Sequence, residues 1–300
     1  MIVLTAMGGV LAGCASPEAT RAGTAVRPTS SGKPATGTAA APSPPRAPSR
    51  APSRAPESGP PVLAPGPGGL TPVFERRAPG STVRDRAGAA DKVVALTFDA
   101  DMTADQGERA AEGEHFDNPG LIASLRRLKV PSTVFMTGRW AQEYPDQARS
   151  IGTDPLFEIA NHSFSHHAFS SPCYGLPTVA AGDMRADVER AFTAIRKTGA
   201  RHVVPYFRFP GGCYDDASLK ALAPTGVTAV QWDVVSGDAF ATDADAVAEQ
   251  VLEGVEPGSL VVMHCTRSAA PVTDDALRRI VPELRERGYR FVKVSELMRG

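Results

Sequence analysis

Val93-Val94-Ala95-Leu96-Thr97-Phe98-Asp99-Ala100-Asp101 is an apolar run that ends abruptly in carboxylates. A short run rich in β-branched and aromatic residues reads as a strand, here over residues 93–98. It lacks alternation, so both its faces must be covered, as in a parallel sheet under helices. Downstream, residues 119–128 have helical spacing, 132–136 read as a strand and 139–151 as a helix. Residues 157–160 form a short strand, and a helix over 179–198 stops at Gly199. Further strands are expected at 206–209, 227–232, 260–263 and 289–292, with helices at 216–222, 243–252 and 274–287. Strand alternating with helix argues a parallel α/β domain, open or closed into a barrel. Chemistry in such folds gathers at the C-terminal ends of the strands.

The chain upstream differs in kind. From Ser16 to Gly69 it consists largely of Pro, Ala, Ser, Gly and Thr, with the repeat APSPPRAPSRAPSRAP at 41–56. Such a segment cannot offset its conformational entropy by burial and is expected to be a disordered, extended linker. It reads either as a tether from membrane to wall or as a passive spacer. Residues 2–12, IVLTAMGGVLA, are too short to span a bilayer and fit the apolar core of a signal peptide. Leu11-Ala12-Gly13-Cys14 then resembles the lipobox of bacterial lipoproteins, although no Lys or Arg precedes the apolar run. The resemblance implies export, a lipid on Cys14 and anchoring at the outer face of the cell membrane. The expected division is a signal peptide over 1–14, a linker over 15–69 and a catalytic domain over 70–300. With 300 residues, 42% of them hydrophobic, the chain can bury a sizeable core. A formal net charge of −1 carries no basic field, so no nucleic-acid partner is expected.

Five strand ends bring polar groups to one rim. They carry Asp99, then Asn161-His162-Ser163-Phe164-Ser165-His166-His167, Arg208-Phe209-Pro210-Gly211-Gly212, Trp232-Asp233 running on to Asp238, and Val262-Met263-His264. Singly, each has an ordinary explanation. An Asp after a strand caps a turn, His pairs at i, i+4 often sit on a helix surface, and an Arg can be half of a structural ion pair. Together they are hard to assign to packing alone. Two imidazoles and a carboxylate also form a divalent-metal donor set with room for water and substrate.

In order and content these residues resemble the polysaccharide deacetylase family, carbohydrate esterase family 4, also called the NodB-homology domain. Its usual motifs are TFDDG, HxxxH, RxPYG, DxxDW and LxH, and the likeness runs from Val93 to the C-terminus. It implies a distorted, incomplete (β/α) barrel acting as a metal-dependent hydrolase on an acetylated polysaccharide. Asp99 would be the general base and His264 the general acid. Arg208 would orient Asp99, and Asp238 would tether His264. His162 and His166 would bind a divalent ion, with Zn expected and Co, Mn or Ni as other candidates. The N–H of Gly211 would face the oxyanion, and Val262 would line the acetyl-methyl pocket. A monomer is expected.

The sequence departs from the family pattern. The usual third metal ligand, the second Asp of TFDDG, is here Ala100. Asp101 takes the motif's Gly position and is expected to bind the metal instead, on the face that Asp99 shares in an extended backbone. A two-His site is the alternative; Glu108 or Glu112 could serve only if the next loop folds back. The motif aromatics are replaced by Gly211 and Ala239, leaving a more open cleft that Tyr174, Tyr214 or Phe240 could refill. Cys173 and Cys213 are expected to form a disulfide bracing two rim loops, against the alternative that every cysteine is reduced and packed. Cys265 should point away from His264. The leading function is N-deacetylation of a peptidoglycan or chitin-like amino-sugar polymer. Its rivals are an O-acetyl polysaccharide esterase, on acetyl-xylan for example, and a non-catalytic carbohydrate-binding lipoprotein.

Overall fold

The computed structural model describes residues 59–78 and 91–299; Cys14, expected to carry lipid, and the linker up to residue 58 lie outside them. Among the described residues nine strands make one sheet. They are β1 (Val73–Phe74), β2 (Val93–Ala100), β3 (Ser132–Met136), β4 (Phe157–Asn161), β5 (Val203–Phe207), β6 (Thr228–Val230), β7 (Val234–Val235), β8 (Ser259–His264) and β9 (Arg290–Phe291). Their order is β1-β6-β5-β4-β3-β2-β8-β7, and β9 joins β2 beside Val93 and Val94. Every pairing is parallel. The helices are α1 (Gln106–Ala111), α2 (Pro119–Leu128), α3 (Gly138–Glu143), α4 (Pro145–Gly152), α5 (Met184–Lys197), α6 (Asp216–Leu222), α7 (Ala244–Gly254), α8 (Thr273–Glu286) and α9 (Val294–Arg299). The sheet is the curled, incomplete barrel of the expected fold class, with β1 and β7 as its unjoined edges.

Both faces of β2 are buried, which explains its unbroken apolar run. Val94, Leu96 and Phe98 face outward onto Leu121, Trp140, Val251 and Leu277 of the surrounding helices. Val93 and Ala95 face inward with Phe135, Ala160, Tyr206, Val230 and Leu260. Burying each large side chain contributes roughly 1.5–3 kcal/mol. The bottom of the barrel is plugged by α9, whose Val294 and Leu297 join this inner cluster. Buried Glu158 caps that helix: its Oε1 accepts from Ser295 N at 3.0 Å and from Thr133 Oγ1 at 2.9 Å. Glu158, four residues before His162 in sequence, therefore serves the opposite end of the barrel.

Several boundaries differ from the sequence reading. The helix expected over 139–151 is two, α3 and α4, because Pro145 drives Tyr144 out of helical geometry (φ −118°, ψ 57°). The helix expected from 179 begins at Met184, since Val179 bonds to Ala168 instead. The strands β1 and β7 and the helix α9 are too short to carry a period. Residues 59–69, read as the end of the linker, lie against the domain. Leu63 N donates to Thr228 Oγ1 at 3.0 Å, and Tyr206 Oη donates to Pro61 O at 2.9 Å. Composition carries no signal for such backbone hydrogen bonds to distant side chains.

Candidate active site

The parallel register sets the first pair. Asp99 of β2 lies directly across from His264 of β8. Paired residues on neighbouring strands point the same way and stand about 4.8 Å apart along the hydrogen bonds, so both groups face the inside of the rim. Next to β2 on the other side come β3, β4 and β5, whose ends lead to His162, His166 and Arg208.

Arg208 is fully buried and reaches back under the rim. Its Nη1 donates to Asp99 Oδ1 at 2.6 Å, while Nε and Nη2 donate to the carbonyls of Val230 and Gln231. Its guanidinium lies 3.9 Å from the Phe135 ring centre. Burial lowers the Arg208 pKa and the Asp99 charge opposes that. The pair thus fixes the Asp99 carboxylate and leaves Oδ2 turned toward His162 Nε2, 3.6 Å away.

His162 and His166 come together through a loop, not along a helix face. Ser163 and His166 adopt left-handed backbone angles (φ 71° and 57°). Asn161 Oδ1 accepts from Ser163 N at 2.8 Å, Ser163 Oγ accepts from His166 N at 2.9 Å, and Asp187 of α5 accepts from Phe164 N at 2.6 Å. Gly138 lets the loop press on α3, since a Cβ there would lie 2.3 Å from the Phe164 ring. The two imidazoles meet edge to face, centres 5.0 Å apart.

Asp101 lies just beyond β2. Its Oδ2 is 3.7 Å from His166 Nε2, and its Oδ1 accepts a hydrogen bond from Thr266 Oγ1. Burial alone would raise the Asp101 pKa, but His166, His264, His162 and the Thr266 hydroxyl bring it below the usual carboxylate value. On the other flank Asp238 holds His264 twice, through Nδ1 and the backbone N–H, both at 2.7 Å. Ser236 and Thr273 hydroxyls donate to the same carboxylate at 2.9 and 2.8 Å. Burial opposes charge on His264; the hydrogen bond and charge of Asp238, with Asp101 and Asp99, outweigh it and raise the pKa to about 9. His264 is therefore an imidazolium at neutral pH, able to give up a proton.

Val262 shares the inward face of β8 with His264 and is almost wholly buried. Gly211 has φ 64°, and a Cβ there would fall 2.6 Å from Cys173 Sγ. No aromatic fits that position, because the bonded pair Cys173–Cys213 (Cα–Cα 5.9 Å) fills the space. The Cys265 thiol sits in the outer apolar layer with Val261 and Met263, across the sheet from His264, and burial raises its pKa to about 12. Glu108 and Glu112 lie in and just after α1, away from the strand ends that carry the two histidines. The sequence reading missed Thr266, Thr273 and Asp187. Only Asp187 carries a local signal, an acid in the first turn of a helix.

The donor set suits a divalent cation. The carbonyl of Arg208 can only accept, so His162 Nδ1, 3.0 Å from it, carries the proton and Nε2 keeps its lone pair. That lone pair faces the Asp99 carboxylate at 3.6 Å, acceptor against acceptor. Burial lowers both histidine pKa values, that of His166 to about 4, so both rings are neutral. Among the described residues no three such groups are already drawn into a closed cage. Yet bonds of about 2.0–2.2 Å to one ion place its ligands ~3–4 Å apart, and within the expected set Asp101 Oδ2 lies 3.7 Å from His166 Nε2, with the His162 and His166 rings 5.0 Å apart centre to centre.

Fold and rim together define a parallel half-barrel whose strand ends present carboxylates, imidazoles and one buried guanidinium. The sequence profile of the polysaccharide deacetylase family matches residues 86–230. A chitooligosaccharide deacetylase from Sinorhizobium fredii is 32% identical over 57% of this chain and 80% of its own length. A peptidoglycan-N-acetylglucosamine deacetylase from Bacillus cereus is 27% identical over 70% of this chain and 89% of its own. Among solved structures, a family 4 carbohydrate esterase from Streptomyces lividans in complex with acetate superposes with a TM-score of 0.54 at 25% identity, covering 68% of this chain and 93% of that one. The chain belongs to the polysaccharide deacetylase family.

Proposed function

We propose that this protein is a metal-dependent hydrolase that removes N-acetyl groups from a peptidoglycan or chitin-like amino-sugar polymer. One observation carries the reading: a carboxylate held by arginine and an imidazolium held by carboxylate sit opposite each other at paired positions of β2 and β8. Amide hydrolysis needs a base for water and an acid for a poor leaving group, on either side of one carbon. Asp99 Oδ2 takes the proton of the attacking water. The oxyanion is met by the Gly211 N–H, and Val262 receives the acetyl methyl group. His264 gives its proton to the departing nitrogen, and Asp238 keeps that ring charged and oriented until then. Asp101, His162 and His166 would hold the divalent ion, of which Zn suits the nitrogen-rich donor set. When bound, it supplies Lewis-acid polarisation of the acetyl carbonyl and eases deprotonation of water.

Acetate release from chito-oligomers, peptidoglycan and acetyl-xylan tests this. The expected result is release from the N-acetylated substrates, lost on chelation and restored by added Zn. Release from acetyl-xylan alone would replace the reading with an O-acetyl esterase, and no release from any would leave a carbohydrate-binding protein.

We further propose that Cys14 carries the lipid that holds the enzyme at the membrane surface, supported by the apolar segment and the Leu11-Ala12-Gly13-Cys14 sequence. Two or more acyl chains suffice for stable anchoring. A Cys14→Ser form should leave the membrane fraction, whereas wild-type protein free of lipid would refute the assignment.

A further inference from the structure

Among the described residues, the exposed large apolar side chains include two aromatics, Tyr174 at 90% and Phe240 at 81%. Both occupy backbone positions that favour another residue. Cys173 O accepts from Leu176 N at 2.8 Å, closing a turn whose central residues, Tyr174 and Gly175, both have positive φ (47° and 78°). Such turns select Gly, Asn or Asp at both places. Asp238 O accepts from Ala241 N at 3.1 Å, closing a turn with Phe240 third at φ 59°, a place that selects Gly or Asn. An exposed aromatic at a glycine position lowers stability and, at 90% and 81% exposure, buries little in return. Folding explains neither residue, and strained, solvent-facing positions gather where a ligand is met.

Their placement names the ligand. The Tyr174 turn is bonded through Cys173 to Cys213, and the Tyr174 ring comes within 3.3 Å of where a Gly211 Cβ would stand. It therefore belongs to the rim beyond β5. Phe240 follows Asp238 by two residues, and its N–H donates to Ala269 O at 2.6 Å. It belongs to the rim beyond β7 and β8. In the sheet, β5 and β7 lie on opposite sides of β2, which carries Asp99. A chain laid along the rim from one ring to the other, in strand order, passes the end of β2. A pyranose offers an apolar face of C–H groups that suits the flat face of an aromatic ring.

We propose that Tyr174 and Phe240 are stacking platforms for the sugar units flanking the one that is deacetylated, making the enzyme selective for extended chains over short ones. This rests on the proposed deacetylase reading. On this reading the aromatics absent at Gly211 and Ala239 are replaced from neighbouring turns.

The test uses Tyr174→Gly, Phe240→Gly and the double variant in the full chain, since glycine suits both turns. With wild type, kcat/KM for the N-acetylglucosamine hexamer should exceed that for the dimer. Each single variant should lower that ratio about 5- to 10-fold, through KM. The melting temperature should rise by about 2–4 °C per glycine as the turns relax. Hexamer binding by calorimetry, in the Asp99→Asn background with and without the glycine changes, gives a readout independent of turnover. If wild type hydrolyses no N-acetyl substrate, the deacetylase reading fails while calorimetry still decides this one. Wild-type hexamer affinity in the glycine variants, or no hexamer binding in Asp99→Asn alone, overturns the proposal.

Discussion

Asp99→Asn should lower kcat/KM by about 10³-fold or more while metal affinity stays within a few-fold of wild type. A positioned base contributes ~10²–10⁴ in rate, and asparagine offers water no proton acceptor of comparable strength. It does keep an oxygen for Arg208 Nη1, so the geometry at 2.6 Å survives in outline. The charge does not survive. Arg208 is fully buried, and its other hydrogen bonds go to two backbone carbonyls, which carry no charge. Removing one member of a buried ion pair costs about 3–5 kcal/mol, so the melting temperature should fall by roughly 10 °C. Steady-state kinetics, calorimetric Zn titration and thermal melting on one preparation check all parts. Retained turnover would show that Asp99 is not the base.

Much of this site was legible in the sequence because parallel folds place chemistry at strand ends, and the strands β2, β3, β4 and β8 announce themselves by apolar runs. Asp99, His162 and His264 each follow such a run closely, and Arg208 falls within the strand read at 206–209, so their common rim could be read from order alone. The disulfide partners were readable for a related reason: Cys173 and Cys213 follow two rim motifs at short distance, and the structure joins them. What could not be read depends on long loops. Thr266 meets Asp101 across 165 positions, and Thr273 meets Asp238 across 35. A hydroxyl has no period and no preferred neighbour in sequence, so nothing local marks it. The i, i+4 spacing would bring the histidines together on a helix; here two left-handed residues and a chain of side-chain caps achieve the same approach without one. At Gly211 the sequence suggested a lost aromatic and an open cleft. Positive φ and the adjacent disulfide instead leave no space for a side chain there.

Asp101→Ala is the change that decides whether the displaced carboxylate completes the centre. In the structure Asp99 and Asp101 look alike at first sight, each with one oxygen less than 4 Å from an imidazole Nε2 (3.6 and 3.7 Å). Their other partners separate them. Asp99 is bound to a guanidinium and faces His264 across the strand pair, the placement that the proposed base and acid require. Asp101 is bound only to a hydroxyl, and its pKa is low because histidines surround it. A carboxylate ionised in that setting, beside a neutral imidazole, suits a cation. Asp101→Ala should therefore weaken Zn binding about 10²-fold or more, with turnover partly restored by excess metal, and Asp101→Asn should fall between. Thermal stability should change little, since no buried guanidinium loses its partner. This pattern is the converse of that for Asp99→Asn, which loses turnover and stability but keeps metal. If Asp101→Ala binds Zn as wild type does, the centre is a two-histidine site, and Asp99 becomes the nearest carboxylate able to join it.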